Sequence, residues 1–137
     1  MAKNGKRILF IQHASAMGGS AYSLLLLMRG LRKRGFNPEV ALVRPTTELC
    51  SLYENVGFPI YKAPQIEIFA HTTGGWARID SWKSIYQLWR TFYGWRVSQQ
   101  ATLRLINSTK PDIIHLNSVV LLPTAIALLR NKIPFVW

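Results

Sequence analysis

Two adjacent glycines, placed between an apolar segment and a helical one, are the residues of this sequence best suited to bind an anion. Gly18 and Gly19 follow a predicted strand over residues 7–12 and precede a predicted helix over residues 23–34. A loop of this kind points free backbone N–H groups and the positive end of the helix dipole at one spot in front of a sheet. We therefore expect phosphate contact at these glycines. The alternative is a plain strand-to-helix turn.

The spacing of the glycines does not fit the common nucleotide fingerprints. The pair lacks the G-x-G-x-x-G pattern of a dinucleotide site, and no Gly-Lys-Ser/Thr follows it. Neither a nicotinamide site nor a P-loop is supported. Adjacent glycines do remove both side chains where a ligand would otherwise collide with a Cβ, so Gly19 is expected to need close backbone approach or φ above zero.

A second group of polar residues follows another predicted strand, over residues 110–116. His115, Asn117 and Ser118 come together at its end. In an open parallel sheet, ligands gather beyond the carboxyl ends of the strands, where neighbouring strands diverge. We therefore expect residues 13–20 and 115–118 to face one crevice, although a histidine at such a buried edge is often satisfied by the backbone.

Aromatic and basic residues interleave between residues 76 and 96. One face of a predicted helix carries Trp82, Ile85, Tyr86, Trp89, Phe92 and Tyr93, and the same stretch includes Trp76, Trp95, Arg78, Lys83, Arg90 and Arg96. Such a helix could lie in a membrane interface or form an aromatic platform for a sugar. The alternative is a helix that packs its aromatic face into the core and leaves its basic side in solvent.

Strands and helices alternate along the chain. Strands are predicted over residues 7–12, 39–43, 59–62, 110–116 and 135–137, and helices over residues 23–34, 48–56, 81–107 and 121–131. Gly35 and Gly57 are expected to end the first two helices, and the long third helix is expected to break near Gly94. The alternation predicts an α/β fold with a doubly wound, Rossmann-like parallel sheet. Residues 63–80 are predicted to be irregular.

Composition is that of one ordinary globular domain: 137 residues, 49% hydrophobic and 17% charged. The single cysteine, Cys50, cannot form an internal disulfide and is expected to pack in the core. No His or Cys pair has metal-ligand spacing, so we expect no metal and a reducing, cytoplasmic compartment. No apolar run reaches the roughly 18 residues that would cross a bilayer.

The first and last residues of the chain lead to two separate expectations. The first residues superficially resemble a signal peptide, but their apolar stretch of residues 8–11 is shorter than the roughly 7 to 15 residues of a working h-region, so a strand is expected. Residues 134–137 read as the start of another buried strand. We therefore expect this chain to be the truncated half of a larger protein.

The net charge of +11 favours an anionic partner, such as a polyanion or an anionic membrane surface. Compensating charge in a missing second half would explain the same excess. Both explanations remain open.

Taken together, the motifs resemble the N-terminal domain of the GT-B glycosyltransferases of family 4, the group 1 type. The likeness rests on the Gly18-Gly19 loop with its following helix, on Pro-Asp-Ile-Ile-His-Leu-Asn-Ser at residues 111–118, and on Ile-Pro-Phe-Val at residues 133–136. It covers nearly the whole chain and is weakest over residues 63–107. Each motif is loose alone, while their order and spacing together are fairly specific.

The resemblance implies retaining transfer of a sugar from a nucleotide diphosphate sugar to a carbohydrate or lipid-linked acceptor. Residues 1–137 would be a single acceptor-side domain, with the C-terminal donor-binding domain absent and no cofactor beyond the nucleotide sugar as co-substrate. The implied donor-diphosphate residues are Gly18, Gly19 and Ser20, the implied catalytic residues are His115 and Asn117, and the implied acceptor-binding residues are His13, Tyr22, His71 and Ser118.

One position departs from the family pattern. The residue two after His115 is often a second histidine, and here it is Asn117. An amide can hydrogen-bond a sugar hydroxyl, but it cannot shuttle a proton near neutral pH. This departure weakens any acid/base role at Asn117.

The alternative to a glycosyltransferase domain is a non-enzymatic basic module that binds an anionic membrane surface or nucleic acid through charge. Such a module would lose affinity steeply with salt and would not depend on a nucleotide sugar. The glycine loop and the polar crevice are features that this alternative leaves unexplained, which makes a nucleic-acid partner the weaker expectation.

Overall fold

A computed structural model describes residues 5–68 and 82–137 of the chain. The strands are β1 (Arg7–Gln12), β2 (Asn37–Leu42), β3 (Ile60–Lys62), β4 (Ile113–Leu116) and β5 (Phe135–Val136). The helices are α1 (Gly19–Lys33), α2 (Thr47–Glu54), α3 (Trp82–Thr109) and α4 (Leu122–Arg130), and a 3₁₀ turn at Val119–Leu121 precedes the last of them. All strand pairs are parallel, in the order β3-β2-β1-β4-β5. The predicted doubly wound α/β fold is therefore confirmed.

The sheet is covered on both faces, because successive side chains of a strand point to opposite sides. Phe10 and Leu42 lie on one face with buried residues of α1 and α2, and Ile11 and Leu116 lie on the other with buried residues of α3 and α4. The chain winds outward from β1 in one direction to β3 and then returns to place β4 on the opposite side of β1. The switch point between β1 and β4 lies where the sequence predicts it.

Helix α1 begins four residues earlier than predicted, at Gly19 instead of Ser23. Gly18 is extended, and its carbonyl oxygen accepts hydrogen bonds from the N–H groups of Ala21 at 3.0 Å and Tyr22 at 3.1 Å. The leucine-rich apolar pattern marks only the part of the helix that packs on the sheet, so it misses this first turn. The glycine loop and the helix start are consequently the same structure.

Helix α3 is continuous through Gly94, so the predicted break is wrong. A glycine inside a helix costs only about 1 kcal/mol relative to alanine, and packing readily offsets that cost. A Cβ built at Gly94 would lie 3.4 Å from the side chain of Glu67. That distance is an ordinary van der Waals contact, so Gly94 lies directly beside the segment that follows β3.

Other glycines and the cysteine behave as predicted. Gly35 and Gly57 follow α1 and α2 with φ of +86° and +73°, in the left-handed region that favours glycine. Cys50 is buried against the core that α1 and α2 form with the sheet.

Of the two interpretations of the aromatic residues in α3, the core-facing helix is wrong. Its aromatic side chains in the described set are exposed: Trp82, Tyr86, Trp89, Phe92 and Tyr93. The helix packs through residues nearer its end, among them Ser98, Thr102 and Ile106. The first half of α3 therefore has an aromatic surface, and residues Trp76 and Arg78 of the same predicted cluster lie outside the described residues.

Candidate functional site

The carboxyl ends of β1 and β4 lie side by side, and a pair of amide side chains joins them. The register pairs Ile11 with Leu116, which makes Gln12 and Asn117 neighbours at the ends of the two strands. The Asn117 backbone N–H donates to the Ile11 carbonyl at 3.1 Å, and Asn117 Nδ2 donates to Gln12 Oε1 at 2.6 Å. Gln12 is completely buried. The orientation of the Asn117 amide is thereby fixed by a residue of the core.

Three buried polar atoms at this edge have no hydrogen-bond partner within the described part of the chain. They are Gln12 Nε2, His13 Nδ1 and His115 Nδ1. Buried polar groups in native proteins are normally hydrogen-bonded to protein or to water, so these three atoms are available to a ligand or an ordered water. All three belong to the ends of β1 and β4, where the sequence predicts the crevice.

His13 lies close to a cation that follows the next strand. Burial lowers the pKa of His13, and the charge of Arg44 lowers the same pKa further. His13 is therefore a neutral imidazole near neutral pH, able to exchange hydrogen bonds with a hydroxyl. Arg44 is exposed and follows β2, so it adds a positive charge to this edge. Sequence reasoning missed Arg44, although a cation placed just after an apolar strand was a usable signal.

His115 is half-buried near the end of β4. Its ring packs against Phe10 with centroids 5.0 Å apart and a tilt of 43°. Burial lowers the pKa of His115. Because His115 precedes Asn117 by two residues, both side chains belong to the face of the sheet that carries Phe10. A role for His115 in the reaction stays a prediction.

The glycine loop forms an uncapped helix N-terminus. Gly18 is the N-cap residue of α1, no side chain caps this end, and Gly18, Gly19 and Ser20 are exposed. Neither glycine has a positive φ, so that part of the expectation for Gly19 is wrong. A Cβ built at either position meets nothing within 4 Å. The fold itself does not require glycine at either position, and the space beside both residues is open.

Ser118 borders a pocket of about 450 Å³ lined by Leu116, Asn117, Ser118, Val119 and Trp137. Its hydroxyl oxygen accepts from the Val120 N–H at 3.3 Å, and its carbonyl oxygen accepts from Trp137 Nε1 at 2.9 Å. Sequence reasoning assigned Trp137 only to a strand. The structure places Trp137 in the lining of the same pocket as Asn117, with its indole N–H bonded to the Ser118 carbonyl.

Two further predicted acceptor residues are less informative. Tyr22 is exposed on the first turn of α1, with its hydroxyl 3.9 Å from Met17 Sδ. His71 lies outside the described residues. Within the described part of the chain, the Tyr22 hydroxyl makes no hydrogen bond to the amide pair.

The only buried acidic residue in the described part of the chain lies away from this edge. Glu39 accepts from Arg7 Nε at 2.8 Å, from Arg7 Nη2 at 3.0 Å and from the Tyr61 hydroxyl at 3.0 Å. Its carboxylate is thus fully engaged near the start of β1. Glu39 links neighbouring strands of the sheet and is not available as a free carboxylate at the carboxyl ends of the strands.

No protein-family model matches the chain, and no curated protein matches it either. Solved structures do match in fold. MurG of Acinetobacter baumannii matches with a TM-score of 0.59 and 18% identity, covering 95% of this chain and 33% of its own. HepE of Anabaena in complex with UDP and glucose matches with a TM-score of 0.55 and 17% identity. Its complex with UDP-glucose matches with a TM-score of 0.54 and 20% identity. Both matches cover 95% of this chain and 28% of the HepE chain.

At these identities the likeness shows the fold. The chain has a Rossmann-like α/β fold that it shares with part of each of these structures. It spans about a third or less of the length of the structures it matches. In the part of the chain that the structure describes, no helix is long and apolar enough to cross a membrane.

Proposed function

We propose that this chain is the acceptor-side domain of a glycosyltransferase that moves a sugar from a nucleotide diphosphate sugar to a carbohydrate or lipid-linked acceptor. The retaining course of the reaction and the family 4 subtype are part of this proposal and rest on the resemblance of the motifs. A cytoplasmic location at a membrane surface is also part of it. A UDP-sugar is the donor to test first, because HepE has been crystallised with UDP-glucose.

The observation that carries the proposal is the uncapped N-terminus of α1 at the switch point of the sheet. Gly18 and Gly19 offer backbone N–H groups without side chains, and Arg44 adds a positive charge at the same edge. A helix N-terminus favours negative charge, and the effect is strongest where partial burial reduces screening. This edge suits the charge that grows on a departing nucleoside diphosphate, as preorganised donors do in electrostatic catalysis.

Sugar hydroxyls are proposed to bind the neighbouring polar groups. Asn117 keeps its Oδ1 available while Nδ2 is held by Gln12, and His13 is neutral with an unpartnered buried Nδ1. An amide oxygen accepts from a hydroxyl and a neutral imidazole exchanges hydrogen bonds with it, but neither group requires a charge. The proposed acceptor residues His13, Tyr22, His71 and Ser118 and the proposed catalytic residues His115 and Asn117 remain to be tested individually.

A non-enzymatic module that binds nucleic acid is the second candidate, favoured by the net charge of +11. Charge alone does not account for an uncapped glycine N-terminus beside three unpartnered buried polar atoms. A salt titration of RNA or DNA binding, with a slope that reports released counterions, addresses this candidate directly.

The test of the proposed function is an amide-resolved NMR titration of the chain with UDP and with UDP-glucose. We expect the largest shifts at the amides of Gly18, Gly19 and Ser20, and weaker binding in Arg44→Ala. Arg29→Ala is the matched control, since Arg29 is an exposed cation on α1 away from the glycine turn. Shifts spread over the basic surface, with equal effects of the two arginine variants, would exclude the diphosphate site.

A further inference from the structure

The first half of α3 carries a row of exposed aromatic side chains. Their exposed fractions are Trp82 86%, Tyr86 63%, Trp89 64%, Phe92 60% and Tyr93 60%. A solvent-exposed aromatic side chain of this size keeps most of its apolar surface in water, and a contiguous set of them marks an interaction surface. We refer to these five residues as the aromatic face of α3.

The spacing of these residues places them along one side of the helix. Positions 82, 86, 89 and 93 are separated by four, three and four residues, which places them along one side of a helix. Trp89 stacks on Tyr93 with ring centroids 5.7 Å apart and an angle of 14°, and Phe92 meets Trp95 edge to face at 6.3 Å. From residue 82 to residue 93, eleven steps along the helix, the face extends about 16 Å at 1.5 Å per residue.

Basic residues continue the same side of the helix. Arg96 and Arg104 are exposed and follow Tyr93 at spacings of three and eleven residues, which keeps them on the side of the aromatic face. Lys83 and Arg90 also belong to α3, and no acidic residue does. The helix itself therefore combines exposed aromatic rings with basic residues and contains no acidic one.

The opposite side of α3 anchors it to the domain. Ser98, Thr102 and Thr109 are buried, the Ser98 hydroxyl accepts from the Glu67 N–H at 3.0 Å, and the Thr102 and Thr124 hydroxyls lie 3.4 Å apart. This anchor begins after the aromatic face, so binding through that face leaves the core of the domain undisturbed.

The course of the chain brings the aromatic face to the end of the sheet that carries the candidate site. Thr109 lies just before the start of β4, and Ser98 contacts Glu67, which follows the carboxyl end of β3. The helix thus runs from the carboxyl ends of the strands towards their amino ends. Residues 82–93 precede the contact at Glu67 and lie on the side of the glycine turn and the amide pair.

We propose that the aromatic face of α3, with Arg96 and Arg104, is a membrane-interface element that binds anionic phospholipid bilayers. Trp and Tyr rings favour the headgroup level of a bilayer, where the ring is apolar and its N–H or O–H meets water. Nearby cations add attraction to an anionic surface. The face lies in the interface and does not cross the bilayer, in keeping with the absence of a spanning helix among the described residues.

Other occupants fit the surface less well. A single sugar ring would cover only part of a face about 16 Å long. A second copy of the chain would bring two helices of like charge together, on a protein whose net charge is already +11. The membrane inference does not depend on glycosyl transfer, since vesicle binding is measured without donor or acceptor.

Co-sedimentation of the 137-residue chain with vesicles tests the inference, using phosphatidylcholine alone and phosphatidylcholine with phosphatidylglycerol. We expect binding to the anionic vesicles, a blue shift of tryptophan fluorescence on binding, and a loss of affinity on the order of tenfold or more in Trp82→Ser/Trp89→Ser. The matched control is Leu26→Ser/Leu129→Ser, which removes two apolar side chains that are each 65% exposed on other helices. This control should bind as the wild type does.

A second pair of variants tests the contribution of charge. Arg96→Gln/Arg104→Gln should weaken binding to the anionic vesicles and reduce its salt dependence, whereas Arg29→Gln/Arg34→Gln, at exposed positions of the α1 region, should do so less. Unchanged vesicle binding in Trp82→Ser/Trp89→Ser overturns the inference, as does loss of the fold in that variant by circular dichroism. A dimer in sedimentation equilibrium that this variant dissociates, or binding of soluble glycans in place of vesicles, overturns it in favour of those occupants.

Discussion

Asn117 donates a hydrogen bond from its side-chain amide to the Oε1 atom of Gln12 at 2.6 Å, which couples the last residue of β1 to the residue that follows β4. The acceptor is completely buried, and its own Nε2 has no partner in the described residues. The hydrogen bond therefore orients the Asn117 amide at the switch point, while Gln12 Nε2 is left without a partner in the core. The hydrogen bond and the unpartnered Nε2 should each affect the stability of the domain.

Replacing Gln12 by Met is expected to leave the free energy of unfolding nearly unchanged or to raise it by about 1 kcal/mol. The variant loses one hydrogen bond worth about 1 kcal/mol, but it also removes an unsatisfied buried donor whose burial costs about 1–3 kcal/mol. Asn117→Ala leaves both Oε1 and Nε2 of the Gln12 side chain without a partner. This variant should therefore lower the free energy of unfolding by about 1–3 kcal/mol. Urea denaturation compares the two variants, and equal losses in both would contradict this account.

Acidification is expected to destabilise the fold through His13 and His115. Burial lowers the pKa of each histidine, the charge of Arg44 adds to the effect at His13, and an unfolded histidine has a pKa of about 6.5. Between pH 6.5 and the lower folded-state values the unfolded chain binds more protons, so stability rises with pH in this window and falls as pH decreases.

The variant His115→Phe isolates one of these two contributions. It keeps an aromatic ring against Phe10 and removes the titrating group. The slope of unfolding free energy against pH should therefore be shallower than in the wild type between pH 5 and 7, a range above the ordinary carboxylate pKa values of about 4. Parallel slopes in the two proteins would show that His115 does not titrate differently on folding.

Alkaline conditions are expected to destabilise the fold through Tyr53. Burial raises the pKa of Tyr53 to about 12, and its hydroxyl donates to the Ala21 carbonyl at 3.2 Å. Above the unfolded value of about 10 the unfolded chain loses this proton first, so stability falls by about 2–3 kcal/mol as pH rises to 12. Tyr53→Phe should lose this share of the pH dependence, measured as the difference between the two proteins at each pH.

Gly19→Val is expected to separate function from stability in a longer protein that contains this domain and a donor-binding half. The thermal midpoint should stay close to that of the wild type, because Gly19 has no positive φ and its Cβ position is open. The variant keeps the backbone N–H of residue 19, but its side chain would occupy the open space through which a diphosphate reaches that N–H. If the N–H stabilises the departing diphosphate, turnover should fall by about 100-fold to 1,000-fold, the loss seen when one such donor is removed.

Gly30→Val is the matched control for this prediction. Gly30 lies in the same helix with equally open space around its Cβ position, and it is far along α1 from the glycine turn. Its variant should keep near-normal turnover. Near-normal turnover in Gly19→Val as well would show that the glycine loop is a plain strand-to-helix turn with no role at the diphosphate.

The sequence by itself determined the order and type of the elements. Near-continuous apolar strands separated by amphipathic helices admit few solutions other than a parallel sheet covered on both faces. Helix stops at Gly35 and Gly57 were predictable because both positions adopt positive φ, which glycine tolerates best. The edge of the sheet that carries the candidate site was predictable for a related reason, since the strand order places the switch point between β1 and β4.

Tertiary structure alone decided which polar side chains meet and which aromatic ones are exposed. Gln12 reads as the polar end of a strand, and only the register with β4 makes it the partner of Asn117. Periodicity places Trp82 and Trp89 on one side of α3, yet the same pattern describes a core-facing helix and an exposed one. What the other side of the helix packs against resolves this ambiguity, because burial is a property of neighbouring elements that the spacing of residues within one helix does not contain.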